Sequence, residues 1–115
     1  MPSVLNHEGG RFDKALSHLM KLTVGSLDMA DAAATLPVES PSIMFVDANS
    51  AGTEDLTLAD PTAGEHEGLI KIIVNSGGES IVLKNVATTT LKTIATAQAA
   101  FCMVINGAWV ARLMT

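Results

Sequence analysis

The sequence predicts a mainly β protein: a small antiparallel β-sandwich or barrel-like domain with an N-terminal arm and a short helix. Three observations carry this. From residue 42 onward, short runs rich in Ile, Val, Leu and Thr alternate with clusters of Gly, Pro, Asn and Asp. Asn106-Gly107 sits between two apolar runs, the clearest short-range signal for a hairpin. The length, 115 residues, accommodates one core and not two.

Residues 1–10 are polar and end in Gly9-Gly10, and are read as an arm. Residues 11–22 place Phe12, Ala15, Leu16, Leu19 and Met20 at helical spacing, so one apolar stripe runs along a short helix. Arg11, Asp13, Lys14, Ser17 and Lys21 lie off that stripe. Leu22-Thr23-Val24 reads as a short strand that stops at Gly25. Residues 26–41 read as a connection: Ala30–Ala34 suits a helical turn, and Pro37 and Pro41 forbid a longer helix. The chain is therefore divided into residues 1–35, arm and helix, and residues 36–115, the β domain.

In the β domain, Ser42–Asp47 is a strand followed by a turn over Asn49–Gly52. Asp55–Ala59 alternates, with Leu56 and Leu58 on one side. Asp60-Pro61-Thr62-Ala63-Gly64 is a turn: Asp initiates, Pro fixes φ, and Gly takes the left-handed angle. Leu69–Val74 is a strand, and Asn75–Gly78 is expected to return it as a hairpin with Ser80–Lys84. Thr88–Thr90 favours extended backbone, Leu91–Ile94 suits a strand, and Ala95–Ala100 suits one helical turn. Phe101–Asn106 and Ala108–Leu113 form the closing hairpin.

Alternation in these last strands matters for function. Phe101, Met103 and Ile105 share one face and Cys102 and Val104 the other; Trp109, Ala111 and Leu113 oppose Val110, Arg112 and Met114. Strands apolar on both faces are buried on both faces. Leu69–Val74 behaves the same way, interrupted only by Lys71. One small domain has difficulty covering so much two-sided apolar strand, and a symmetric oligomer solves the problem. The helix over 11–22 is the competing cover.

The composition excludes several classes. A net charge of −5 with seven scattered basic residues is unsuited to nucleic acid. The start of the chain lacks the basic and apolar regions of a secretory signal, and no apolar run reaches 18 residues, so no membrane is expected. The single cysteine, Cys102, permits no intrachain disulfide and reads as a small buried hydrophobe. His7, His18 and His66 are far apart, no His-x-x-x-His or Cys-x-x-Cys occurs, and Glu65-His66-Glu67 reads as a solvated loop. Phosphate-cradling loops and nucleophile elbows are absent. The reading is therefore of a protein that is not an enzyme, with no catalytic residues, metal or cofactor.

The segment from Leu36 to Leu113 resembles the β domain of bacteriophage head-decoration (cement) proteins, also found in phage head and tail fibres. The likeness rests on Ile43-Met-Phe-Val-Asp-Ala-Asn49, then Leu56-Thr-Leu-Ala-Asp-Pro-Thr-Ala-Gly64, then Ile70-Lys-Ile-Ile-Val-Asn75. Ser80-Ile-Val-Leu-Lys-Asn85 and Asn106-Gly-Ala-Trp109-Val-Ala111 complete it. Residues 1–35 have no counterpart in the pattern. The resemblance implies a virion structural protein on the outer capsid surface, made in the host cytoplasm. It would associate with itself as a homotrimer and with the major capsid protein, partly through its N-terminal segment. The expected core or oligomer contacts are Phe101, Met103, Ile105, Trp109 and Leu113, and the capsid-contact candidates are Phe12, Leu16 and Leu19. The alternative is a head or tail fibre or spike segment that binds a host surface.

Overall fold

A computed structural model describes residues 22–30, 32–48 and 54–114. The helix expected over 11–22, with Phe12, Leu16 and Leu19, and the turn over 49–52 lie outside the described residues. The described residues form nine strands: β1 (Val24–Asp28), β2 (Ala34–Leu36), β3 (Ile43–Asp47), β4 (Glu54–Leu58), β5 (Ile70–Asn75), β6 (Ile81–Lys84), β7 (Thr90–Ile94), β8 (Ala99–Ile105) and β9 (Ala108–Met114). They make two sheets, one in the order β1-β3-β5-β8-β9 and one in the order β2-β4-β6-β7.

The first six strands form a coil. The chain runs along the five-stranded sheet, crosses to the four-stranded sheet, and returns, three times over. Successive passes stack in parallel, so Ile43 pairs with Val24 behind it and Ile72 ahead of it. β2, β4 and β6 stack likewise. Only afterwards does the pairing turn antiparallel: β7 returns on β6, β8 on β5, and β9 on β8. The two sheets are thus mixed, where the turn signals in the sequence suggested antiparallel strands throughout.

This coiling corrects four local expectations. β5 and β6 are not a hairpin; residues 76–80 form an arch that carries the chain from one sheet to the other. Gly77 serves that arch by its bareness, since a Cβ there would run into the Ala48 backbone nitrogen and carbonyl oxygen. The strand starting at Val24 continues through Gly25 to Asp28, held by parallel pairing to β3 despite a poor strand sequence. Residues 32–36 carry no helical turn; Ala34–Leu36 form β2, which pairs with β4 as β1 pairs with β3. Likewise residues 95–98 turn without a helix and lead directly into β8, with Ala97 at a φ of 66°.

The core lies between the sheets. Met44, Val46, Ile73, Ala100, Cys102, Val104, Trp109 and Ala111 from one sheet meet Leu36, Leu56, Leu58, Ile81, Leu83 and Ile94 from the other. Of the three polar residues buried in this layer, Asn75, Lys71 and Glu54, the first two tie elements together by hydrogen bonds. Asn75 is 1% exposed, and its amide nitrogen donates to the carbonyls of Glu79 and Ile94 while its oxygen accepts from Gly77 N–H. It joins the arch at 76–80 to the crossing at 95–98. Lys71, also 1% exposed, donates to the Ser40 carbonyl at 2.6 Å and so ties β5 to the turn that precedes β3.

Candidate interaction surface

The outer faces of the two sheets differ in chemistry. On the five-stranded sheet, period-2 alternation aligns outward residues into rows, two of which cross all five strands. One row is Val24, Ile43, Ile72, Phe101, Arg112. The next is Ser26, Phe45, Val74, Ala99, Met114. Ile70, Met103 and Val110 form a third, and Ile105 with Ala108 a fourth. Val24 is 60% exposed and Phe45 42%, with Ile105 and Met114 close to half exposed. Charge is confined to the margin: Arg112 on the edge strand β9, and Asp28 and Asp47 paired at the far ends of β1 and β3.

The four-stranded sheet presents Thr35, Asp55, Thr57, Val82, Lys84 and Thr93 outward. Lys84 and Asp55 form a half-exposed ion pair at 3.0 Å. This is an ordinary water-facing surface, and the ion pair adds little to stability. An apolar field on one sheet beside a polar field on the other makes the first the candidate interaction surface.

The residues expected to make core or oligomer contacts separate into two groups. Trp109 and Leu113 face inward; Trp109 is 5% exposed and donates its indole N–H to the Ala59 carbonyl at 2.9 Å. Phe101, Met103 and Ile105 face outward on the apolar sheet. Most of that surface, including Ile43, Phe45, Ile72 and Val74, was not singled out from the sequence. The alternation was visible there, but which side of each strand met the core was not.

The hairpin at the end of the chain has the expected type I′ geometry, with Asn106 at φ 54° and Gly107 at φ 76°. Glu67, in the β4–β5 loop, accepts from Gly107 N–H at 3.0 Å with one carboxylate oxygen and from Asn106 N–H with the other. His66 accepts from Thr62 N–H through Nδ1 at 2.8 Å. Both side chains therefore build turns.

Three buried groups remain. Burial pushes the Cys102 thiol up to about 12, with Lys71 opposing, so the thiolate that nucleophilic chemistry requires is suppressed. Burial lowers the Lys71 pKa, opposed by Glu39 and Cys102. Glu54 is 5% exposed and neither of its carboxylate oxygens has a hydrogen-bond partner among the described residues. Among the described residues, no group of three or more His, Cys, Asp or Glu side chains is placed to hold a metal ion. Also among them, no helix is long and apolar enough to cross a membrane. A crevice of about 120 Å³ lies beside Trp109, between Pro61 and Val86.

Comparison with known proteins places the chain in no group: no family model, no curated protein and no solved structure matches it.

Proposed function

We propose that this chain is a virion structural protein, a capsid decoration or cement protein that self-associates as a trimer on the outer surface of a phage head and stabilises it. The observation that carries the reading is the apolar outer face of the five-stranded sheet. A second copy of the chain is the occupant that suits it best. The face carries its charges at the margin. Its aliphatic and Met character suits a permanent, water-excluding contact.

The width of the face favours a small ring. Five strands about 4.8 Å apart span ~19 Å between outermost axes. Three such faces closed into a triangular prism stand ~5.5 Å from the threefold axis. Packed sheets lie ~10 Å apart, so each contributes ~5 Å of side chain. A trimer fills its own centre at that spacing, whereas four faces leave a hole along the axis. In the prism Ile70, Ile72 and Val74 of the central strand line the axis, and Arg112 stands at a corner where it keeps water.

A decoration protein acts mechanically. Each bound trimer buries surface against the major capsid protein, and anything that binds only the intact shell stabilises it by mass action. A net charge of −5 keeps unbound copies dispersed. No nucleic acid, membrane, cofactor or catalytic step enters this function. The test is light scattering after size exclusion, followed by co-sedimentation with heads assembled without the protein. A mass near three times 12.0 kDa and saturable binding that raises the temperature of head rupture are expected. A monomer at high concentration overturns the proposal.

A fibre or spike segment is the second reading, and the parallel coil favours it. β1 and β2 lie at the edges of their sheets, so the stack is of a kind that further passes can extend. A trimer that ignores heads but binds the host surface would decide for it.

A further inference from the structure

We propose that Asn106-Gly107 is a latent modification site, and that Glu67 guards it against deamidation. Asn-Gly is the dipeptide most open to cyclisation because glycine leaves its own amide nitrogen unshielded. In that reaction the Gly107 nitrogen attacks the Asn106 side-chain carbonyl carbon. A bond forms between the two, the bond to Nδ2 breaks, and ammonia leaves with the proton from Gly107 N–H. Water then opens the succinimide at either carbonyl, giving aspartate or isoaspartate. An isoaspartate lengthens the backbone by one atom inside a two-residue turn.

Asn106 is exposed, so water reaches it. The attacking nitrogen, however, is engaged. Gly107 N–H donates to one Glu67 oxygen at 3.0 Å and Asn106 N–H donates to the other. The contact obstructs the reaction in two ways. It holds the proton that must leave, and its negative charge disfavours the amide anion that attacks. It also fixes the turn, since two charge-assisted bonds to one carboxylate leave the Asn106–Gly107 peptide little freedom to rotate toward the side chain.

The position of Glu67 is itself set by structure. It belongs to the loop between β4 and β5, and Gly68 N–H and Leu69 C=O continue the pairing with Val104 immediately after it. His66 closes the preceding turn on Thr62, and the backbone there packs so near Gly107 that a Cβ on Gly107 would lie 3.0 Å from the Ala63 methyl. The loop that the β4–β5 crossing requires is therefore also the cover of the hairpin tip.

The experiment is a time course at neutral pH on the full chain, its E67Q and E67A variants, and the wild-type chain in denaturant. Deamidation at Asn106 is read by peptide mass and isoaspartate assay, with circular dichroism confirming that each variant is folded. E67A loses both charge-assisted hydrogen bonds and is expected to deamidate about tenfold faster or more than wild type. E67Q, keeping one acceptor and losing the charge, falls between them. If folded E67A deamidates at the wild-type rate, turn geometry alone protects the site and the proposal is overturned. It is equally overturned if the folded wild type reacts as fast as the denatured chain. Should E67A unfold, E67Q decides between these outcomes.

Discussion

Replacing Ile72 with Glu tests the assembly face at its centre. Ile72 lies in the middle row of the middle strand and points away from the core, so the change leaves the inter-sheet packing alone. Fully burying an Ile side chain is worth ~1.5–3 kcal/mol, and Ile72 is already half covered by its neighbours, so association adds about 1 kcal/mol per copy. Three copies lose ~3 kcal/mol from that alone. The larger effect is electrostatic. Three carboxylates would meet near the prism axis, each losing water at a cost of several kcal/mol. The total, on the order of 10 kcal/mol per trimer, exceeds the ~8 kcal/mol that one micromolar association step supplies. Size exclusion with light scattering should therefore return 12.0 kDa for Ile72→Glu. Its thermal unfolding should shift only slightly, by about 1 kcal/mol, from weaker strand preference. Val82→Glu, on the polar sheet, is the matched control and should not alter the mass. A trimer that survives Ile72→Glu refutes the assignment of this face.

Other substitutions probe the fold that presents the face. Gly77→Ala drives a methyl into the Ala48 backbone and should destabilise the chain by ~3 kcal/mol or more in chemical denaturation, whereas Gly78→Ala, with open space around it, should be nearly neutral. Glu54→Met replaces a buried carboxylate that has no partner among the described residues and should stabilise by ~1–3 kcal/mol; a loss of stability would mean that the carboxylate is satisfied in solution. Cys102 titrates at about 12 when folded against 9.0 as a free side chain, so between those values the folded state holds the extra proton and stability falls as pH rises. Over that window wild type should lose up to ~1.4 kcal/mol per pH unit through this group. Lys71 acts in the opposite sense, because its folded pKa is lowered and stability therefore rises with pH up to its free value of 10.5. Cys102→Ala should consequently lose less stability than wild type as pH rises from 9; equal losses would refute the burial argument.

The sequence was readable where structure is local and silent where it is not. The β8–β9 hairpin follows from Asn106-Gly107 and from two apolar runs that adjoin it, so turn and strands identify one another. Two-sided apolarity in β5 and β8 was equally visible and corresponds to a sheet with core on one side and an apolar face on the other. The coil was invisible because its partners lie far apart: Ile43 bonds with Val24, 19 residues earlier, and with Ile72, 29 residues later. No turn chemistry announces such a pairing. Gly77-Gly78 misled for a physical reason, since glycine serves both a tight turn and a close backbone approach, and here it serves the second. β1 was cut short at Gly25 because propensity at Gly25-Ser26 is poor, and tertiary pairing overrode it. The site residues divided in the same way. Period 2 grouped Phe101 with Met103 and Ile105, but the side that faced solvent depended on where the second sheet lay.

The parallel coil also dictates an order of events in time. Two ladders, β6–β7 and β8–β9, join strands adjacent in sequence, and every other ladder must close a loop of a dozen residues or more. Folding should therefore begin in the C-terminal half, with slow kinetics set by chain closure and not by stability. The longest rows of the apolar face run from β9 to β1, so the surface is incomplete until all five strands are in place. A copy halted midway has no full face to offer, so the proposed assembly would be reserved for finished molecules.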